Sequence, residues 1–64
     1  DAAVAAILAR SAVLGAAYNV RINLLSIKDA TFRDSTRREA DQLEKRAMEK
    51  ERDILSLASS MLAL

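Results

Sequence analysis

Residues 1–27 read DAAVAAILARSAVLGAAYNVRINLLSI, an almost wholly apolar, alanine-rich run that decides the fold. The run contains no proline and is apolar around most of a helical circumference, which predicts one long packed helix with Asp1 as its N-cap. Its last third carries four polar or aromatic side chains, Tyr18, Asn19, Arg21 and Asn23. Because unpaired amides are unfavourable inside a packed helix, we expect them to find partners within an assembly.

The second half of the chain predicts another long helix. Lys28 suits the negative end of the first helix, and Asp29, or else Thr31, suits the N-cap of the second. Apolar positions spaced three and four apart then form a heptad seam of Ala40, Leu43, Ala47, Lys50, Ile54, Leu57, Met61 and Leu64. We therefore expect an all-α antiparallel hairpin over residues 1–64, with helices at 1–27 and 32–63 and a joint at 28–31.

The charged residues of the second helix alternate in sign on the side opposite the seam. Oppositely charged residues four apart include Asp34 with Arg38 and Asp41 with Lys45. Such a pattern is typical of a solvated helix face, and a docking surface for a charged partner is the alternative. Lys50 in the seam is interpreted as a side chain that reaches solvent from the seam edge rather than as a catalytic amine.

Composition excludes several classes of function. The chain has no cysteine and no histidine, so it offers no disulfide, thiolate, zinc-finger or histidine-base chemistry, and we predict no metal site. A net charge of +1 with interspersed signs argues against a nucleic-acid surface. Arg10 interrupts the apolar run, which argues against a membrane span. The lack of cysteine and of a targeting signal is compatible with the cytoplasm.

The chain is too short to cover its own apolar surface. It has 64 residues, 52% hydrophobic but 3% aromatic, and two helices side by side leave the outer face of an apolar helix in water. We expect the missing cover to come from a homo-oligomer or from the remainder of a larger protein. The start at Asp1 favours a fragment of a larger all-α domain.

Two sides of the first helix separate at about 100° per residue. The first side combines the two asparagines with small residues, namely Ala5, Ala12, Gly15, Ala16, Asn19, Asn23 and Ser26. Its amides serve either an interhelical hydrogen-bond pair or a flat ligand. Arg10 and Arg21 lie nearly opposite, where they reach solvent or ion pairs. For Arg21, a bound carboxylate and a structural salt bridge both stay open, and Tyr18 is interpreted as a core aromatic rather than a proton donor.

The segment LGAAYNVRINLLSIKD at residues 14–29, preceded by DAAVAAILARSAV and followed by ATF and a charged helix, resembles a known family. The string NVRINL at residues 19–24 carries most of the specificity. The chain resembles the C-terminal part of the formimidoyltetrahydrofolate cyclodeaminase and methenyltetrahydrofolate cyclohydrolase family, as in the cyclodeaminase domain of formiminotransferase-cyclodeaminase.

This resemblance implies an all-helical, dimerising domain that cyclises formimidoyltetrahydrofolate with loss of ammonia, or hydrolyses the methenyl derivative. It implies a tetrahydrofolate derivative as substrate, no further cofactor, and a supporting role for Asn19 and Asn23 near the folate pocket or the dimer contact. Members of the family have a glycine-rich N-terminal region with no counterpart here, so we expect the chain alone to be inactive. The alternative from another class is a non-enzymatic hairpin that self-associates or serves as an interaction module.

Overall fold

The chain folds as two helices, α1 at Ala2–Leu24 and α2 at Ala30–Leu62, in a computed structural model that describes residues 1–62. These residues contain no β-strand. Arg21 contacts Glu44 while Arg10 contacts Glu51, so residue numbers rise along one helix as they fall along the other. The predicted all-α antiparallel hairpin is confirmed. The predicted helix end at Ala63 and the seam position Leu64 lie outside the described residues.

The first helix begins at the predicted cap. Oδ1 of Asp1 accepts hydrogen bonds from the amides of Ala3 at 2.7 Å and Val4 at 3.2 Å, which satisfies two of the free N–H groups of the first turn. The helix ends at Leu24, three residues before the predicted end at Ile27. The reason is a tightened last turn, in which the amide of Ile27 donates to the carbonyl of Leu24 at 3.1 Å.

The second helix begins at Ala30, two residues before the predicted start at Phe32. Asp29 caps it as predicted, because its Oδ1 accepts from the amide of Phe32 at 3.1 Å and its carbonyl accepts from the amide of Arg33 at 2.9 Å. The Arg33 guanidinium also donates to the carbonyl of Ile27 at 3.2 Å. This bond fastens the connection to the start of α2.

The contact between the helices is built from small side chains. Among residues 1–62 four are buried, namely Ala6, Ala17, Leu24 and Ala40. Alanine lets two helix backbones approach closely but removes little apolar surface from water. The result is a rod of 51 × 15 × 12 Å in which many large apolar side chains stay exposed. The hairpin therefore leaves much of its apolar surface uncovered, as the size of the chain predicts.

The predicted heptad seam of α2 is only partly the contact with α1. Ala40 is buried, and Ala47 and Ile54 are half-buried against α1. By contrast, Leu43 is 53% exposed, Leu57 is 62% exposed and Met61 is 78% exposed. The charged Lys50 is exposed as well. Within the hairpin, the prediction that α2 packs along its whole seam was wrong for Leu43, Leu57 and Met61, whereas the exposure of Lys50 agrees with a side chain that reaches solvent. The apolar stripe of α2 is wider than the narrow α1 can cover, so one edge of it faces away.

By length and composition, α1 is apolar enough to cross a membrane, with a mean hydropathy of 1.5 over its 18-residue window, 11% of which is buried. A core helix of a soluble protein passes the same test. Arg10 and Arg21 of α1 both contact acidic side chains of α2. Separation of α1 into a bilayer would leave these two guanidinium groups in hydrocarbon, which is unfavourable.

Candidate functional site

Two primary amides stand one turn apart on the side of α1 that α2 leaves open. Asn19 and Asn23 are both exposed, and neither side chain has a hydrogen-bond partner among residues 1–62. We call this surface the amide face, and its members are all exposed: Ala5, Ala12, Gly15, Ala16, Asn19, Asn23 and Ser26. A Cβ added at Gly15 would meet no atom within 4 Å, so no described residue covers the middle of this face.

The hairpin does not bury these amides. The expectation that they find partners within a larger assembly therefore stays a prediction, and so does the choice between a ligand and a neighbouring helix. Tyr18, next to Asn19 in the chain, is 68% exposed, so it is not part of the contact between α1 and α2. The structure thus leaves Tyr18, Asn19 and Asn23 available for contacts outside the hairpin.

Arg21 lies toward α2, away from the asparagines. Its Nη1 and Nη2 donate to the two carboxylate oxygens of Glu44, each at 2.9 Å, and Nη2 also donates to Asp41 at 2.6 Å. This is a bidentate, charge-assisted clamp in which the planar fork of the guanidinium matches the carboxylate. Of the two roles open for Arg21, the structure favours the structural salt bridge. The four predicted site residues thus separate into three exposed groups and one paired group.

The clamp shifts the protonation of both partners in the expected sense. Hydrogen bonds from Arg21 hold the pKa of Glu44 below its usual value, and partial burial of the carboxyl opposes this only in part. The hydrogen bonds to Glu44 and then to Asp41 raise the pKa of Arg21 further above its usual range. The side chains of Arg21 and Glu44 are 29% and 23% exposed, so water still screens the pair. Both groups are charged at neutral pH.

A second ion pair lies at the other end of the hairpin, where Nε of Arg10 donates to Glu51. The sequence pattern indicated both arginines but not their partners Asp41, Glu44 and Glu51. A hairpin that turns near Lys28 brings the start of α2 level with the end of α1, so the sequence carried no direct signal for partners as far along α2 as Glu44. Asp41 had been assigned to pairs four residues away within α2, whereas it binds across to α1.

The two edges of the hairpin differ in polarity. One edge is polar and includes Arg10, Glu44 and Glu51. The other is an apolar groove of about 200 Å³, lined by Val13, Ala16, Ala17, Val20, Thr36, Glu39, Ala40 and Leu43. The amide face adjoins this groove through Ala16. The groove and the amide face are both open in the hairpin, and both are lined mainly by small or aliphatic side chains.

This arrangement can recognise a ligand but offers little for chemistry. Each amide provides two N–H donors and a carbonyl acceptor, which suits the edge of a flat polar ring. Of the acids near α1, Asp41, Glu44 and Glu51 are paired with Arg21 or Arg10, whereas Glu39 lines the groove and has no ion-pair partner within residues 1–62. The groups that the geometry singles out are therefore suited to binding and positioning.

Comparison with known proteins agrees with the resemblance seen in the motif. The family model for formiminotransferase-cyclodeaminase matches residues 1–42, which is 42 of 64 residues. The matched segment contains the whole of α1, the connection and the start of α2 through Gln42. No curated protein and no solved structure gives a significant match. The matched segment covers more than half of the chain, and the chain therefore belongs to the formiminotransferase-cyclodeaminase family.

Proposed function

We propose that this chain is the C-terminal helical hairpin of a folate-handling cyclodeaminase and that its amide face forms one wall of the folate site. In this reaction a folate nitrogen attacks the formimidoyl carbon of formimidoyltetrahydrofolate. The imine nitrogen collects the displaced proton and one from solvent, and it departs as ammonia. The product is methenyltetrahydrofolate.

The single observation that carries the proposal is the pair of exposed amides within the matched segment. Asn19 and Asn23 are one turn apart on a surface with no bulky side chain above it, so a flat ring can approach the helix backbone. The pterin ring of folate presents donors and acceptors around its edge, which primary amides can match on both counts. Because the side chains around the two amides are small, most of the flat face of the ring can contact the helix.

The other site residues take supporting roles. The clamp from Arg21 to Glu44 and Asp41 fixes α1 against α2 and thereby sets the direction of the amide face. Tyr18 presents an exposed ring that packs on the remainder of the protein. Proton transfers belong to groups outside this chain. The hairpin also contributes packing and dimer contacts within the larger protein.

The test uses the larger protein that contains this hairpin, with Asn19→Ala and Asn23→Ala assayed by the absorbance of methenyltetrahydrofolate. Loss of one hydrogen bond to the substrate lowers kcat/KM about tenfold for each variant. Gln42→Ala is the matched control, because it removes an exposed primary amide from α2 instead. Its kcat/KM is expected to stay within about twofold of the unmodified protein.

Two results would contradict the proposal. If both asparagine variants match Gln42→Ala in activity and in unfolding midpoint, the amides do not contact the substrate. If they lower the unfolding midpoint instead and leave kcat/KM unchanged in the folded fraction, the amides bond across a helix contact. The second result would return the asparagines to the structural interpretation.

A further inference from the structure

We propose that Glu39 is the carboxylate that orients the folate substrate, accepting hydrogen bonds from the 2-amino group and the neighbouring ring N–H of the pterin while the ring lies in the apolar groove. This inference deepens the proposed function and rests on it, because it names the part of the substrate that the groove takes. Glu39 binds and orients the ring, and the proton transfers stay with groups outside this chain.

The groove is apolar apart from two side chains of α2. Of its eight lining residues, six are alanine, valine or leucine, and the two polar ones, Thr36 and Glu39, lie one turn apart. Such a lining covers the face of a flat ring by apolar contact and leaves the polar contacts to the edge of the ring. Glu39 carries the only charge among these eight residues, so it selects which edge of a ring can face α2.

The carboxylate of Glu39 is exposed and has no ion pair or hydrogen bond within residues 1–62. By contrast, Asp41 and Glu44 on the same helix are both held by Arg21. The positions three and four residues from Glu39, where a cation could pair with it along the helix, are Ser35, Thr36, Gln42 and Leu43. Both oxygens of Glu39 are therefore available to the N–H donors of a ligand.

The groove adjoins the two exposed amides. Val20 belongs to its wall on α1, and it lies next to Asn19 in the chain and one turn before Asn23. Packed helices have axes about 8–10 Å apart, which is comparable with the length of two fused six-membered rings. The amides on α1 and Glu39 on α2 can therefore reach opposite edges of one pterin ring.

The edges of the pterin match these groups. One edge carries two N–H donors side by side, the 2-amino group and the adjacent ring N–H, and a carboxylate offers two acceptors at a matching separation. The rest of the ring edge combines a carbonyl oxygen with ring nitrogens, which suits primary amides because each has donors and an acceptor. Glu39 thus takes the donor edge and leaves the mixed edge to Asn19 and Asn23.

The same carboxylate favours a ligand over a helix of the larger protein as the occupant of the groove. A helix seated there by apolar contacts would cover Glu39 without supplying a donor, which is unfavourable for a charged group. A ring with two N–H donors fills the groove and satisfies the carboxylate at the same time.

The test compares two ligands on the larger protein that contains this hairpin. The probes are 5-formyltetrahydrofolate, which has no ammonia to lose, and its 2-desamino analogue, and calorimetric titration gives the dissociation constant of each. The unmodified protein should bind the analogue about tenfold more weakly, because one hydrogen bond to a charged group is missing. Glutamine offers one acceptor where glutamate offers two, so Glu39→Gln should bind 5-formyltetrahydrofolate about tenfold more weakly and reduce the difference between the ligands to about twofold.

Glu49→Gln is the matched control. It makes the same change on the polar edge of α2, where Lys45 stands one turn away, so both dissociation constants should stay within about twofold of those of the unmodified protein. Asn19→Ala is the second comparison. It should weaken both ligands by the same factor and keep their ratio, because the amide faces the other edge of the ring.

Two results for Glu39→Gln would overturn the proposal. No weakening, or equal weakening of both ligands, would show that the carboxylate does not contact the 2-amino edge. A lower unfolding midpoint of the larger protein with the ratio of the two dissociation constants retained would assign Glu39 to a contact with another part of that protein. If Asn19→Ala still weakens both ligands, the folate wall stands while the role of Glu39 fails, whereas unchanged binding in Asn19→Ala and Asn23→Ala would contradict the proposed function itself.

Discussion

At the residue scale, Arg21 is the side chain that does most to define the hairpin. It binds Glu44 with both fork nitrogens and Asp41 with one, and it joins the last turn of α1 to the middle of α2. A lysine at this position could not reproduce the planar two-bond geometry. Because Arg21 faces α2, it leaves Asn19 and Asn23 on the outside, where the proposed site requires them.

The Arg21–Glu44 pair predicts an acid-sensitive step in stability. The pKa of Glu44 is lower in the folded hairpin than its usual value of 4.5, so the carboxylate stabilises the fold fully above that pH. The stabilisation is lost as the pH falls from there through the depressed folded pKa. Urea unfolding midpoints recorded at several pH values between neutral and strongly acidic should therefore fall in that acidic window.

Glu44→Gln is the control for this step, since the amide does not titrate. The variant should start from a lower midpoint at neutral pH and lose less of it on acidification than the unmodified chain does. Equal losses in the two proteins would assign the acid sensitivity to other carboxylates.

At the scale of the elements, the two helices differ in how they use their surfaces. α1 places alanines against α2 and leaves its amide face open, whereas α2 carries an apolar stripe wider than α1 covers. Heptad spacing predicted the stripe but not how many neighbours share it. Because alanine contacts hold the two helices close together, both edges of the hairpin are open to further helices.

Gly15 provides a prediction for α1 as an element. Glycine within a helix is less favourable than alanine by up to about 1 kcal/mol, and a methyl group at this position meets no atom within 4 Å. Gly15→Ala should therefore raise the free energy of unfolding of the chain by about 0.5–1 kcal/mol. Chemical denaturation followed by circular dichroism measures the change. The reverse substitution Ala12→Gly, on the same face, should lower it by a similar amount.

At the scale of the whole molecule, the hairpin is a rod without a thick core. Four of the described residues are buried, and many large apolar side chains of both helices remain in contact with water. Membership in the formiminotransferase-cyclodeaminase family agrees with a hairpin that packs within a larger helical domain. The surface of the rod then divides into a polar edge, an apolar groove and the amide face.

The exposure of Asn19 predicts how the chain responds to Asn19→Leu. Leucine is the better helix former, and no hydrogen bond within the described residues is lost, so the unfolding midpoint of the 64-residue chain should stay the same or rise slightly. Thermal unfolding by circular dichroism gives the comparison. A clear fall in midpoint would show that the amide bonds across an interface between copies, which would contradict its place on an open face.

The sequence by itself determined the local structure, because the relevant signals are local. Asp1 and Asp29 mark helix starts by their capping oxygens, the absence of proline allows two long helices, and the string NVRINL lies within the segment that matches the family. The helix ends were less accurate, since the tightened turn at Ile27 depends on the connection that Arg33 fastens.

Only the tertiary structure decided which side of each helix meets the other. Arg21 could equally have bound a ligand until the antiparallel register brought Glu44 to it, and Leu43 could equally have faced α1. Periodicity gives an angle around one helix axis, but it gives neither the partner nor the offset between two helices. That offset follows from side chains far apart in the chain, such as Arg10 and Glu51, meeting in space.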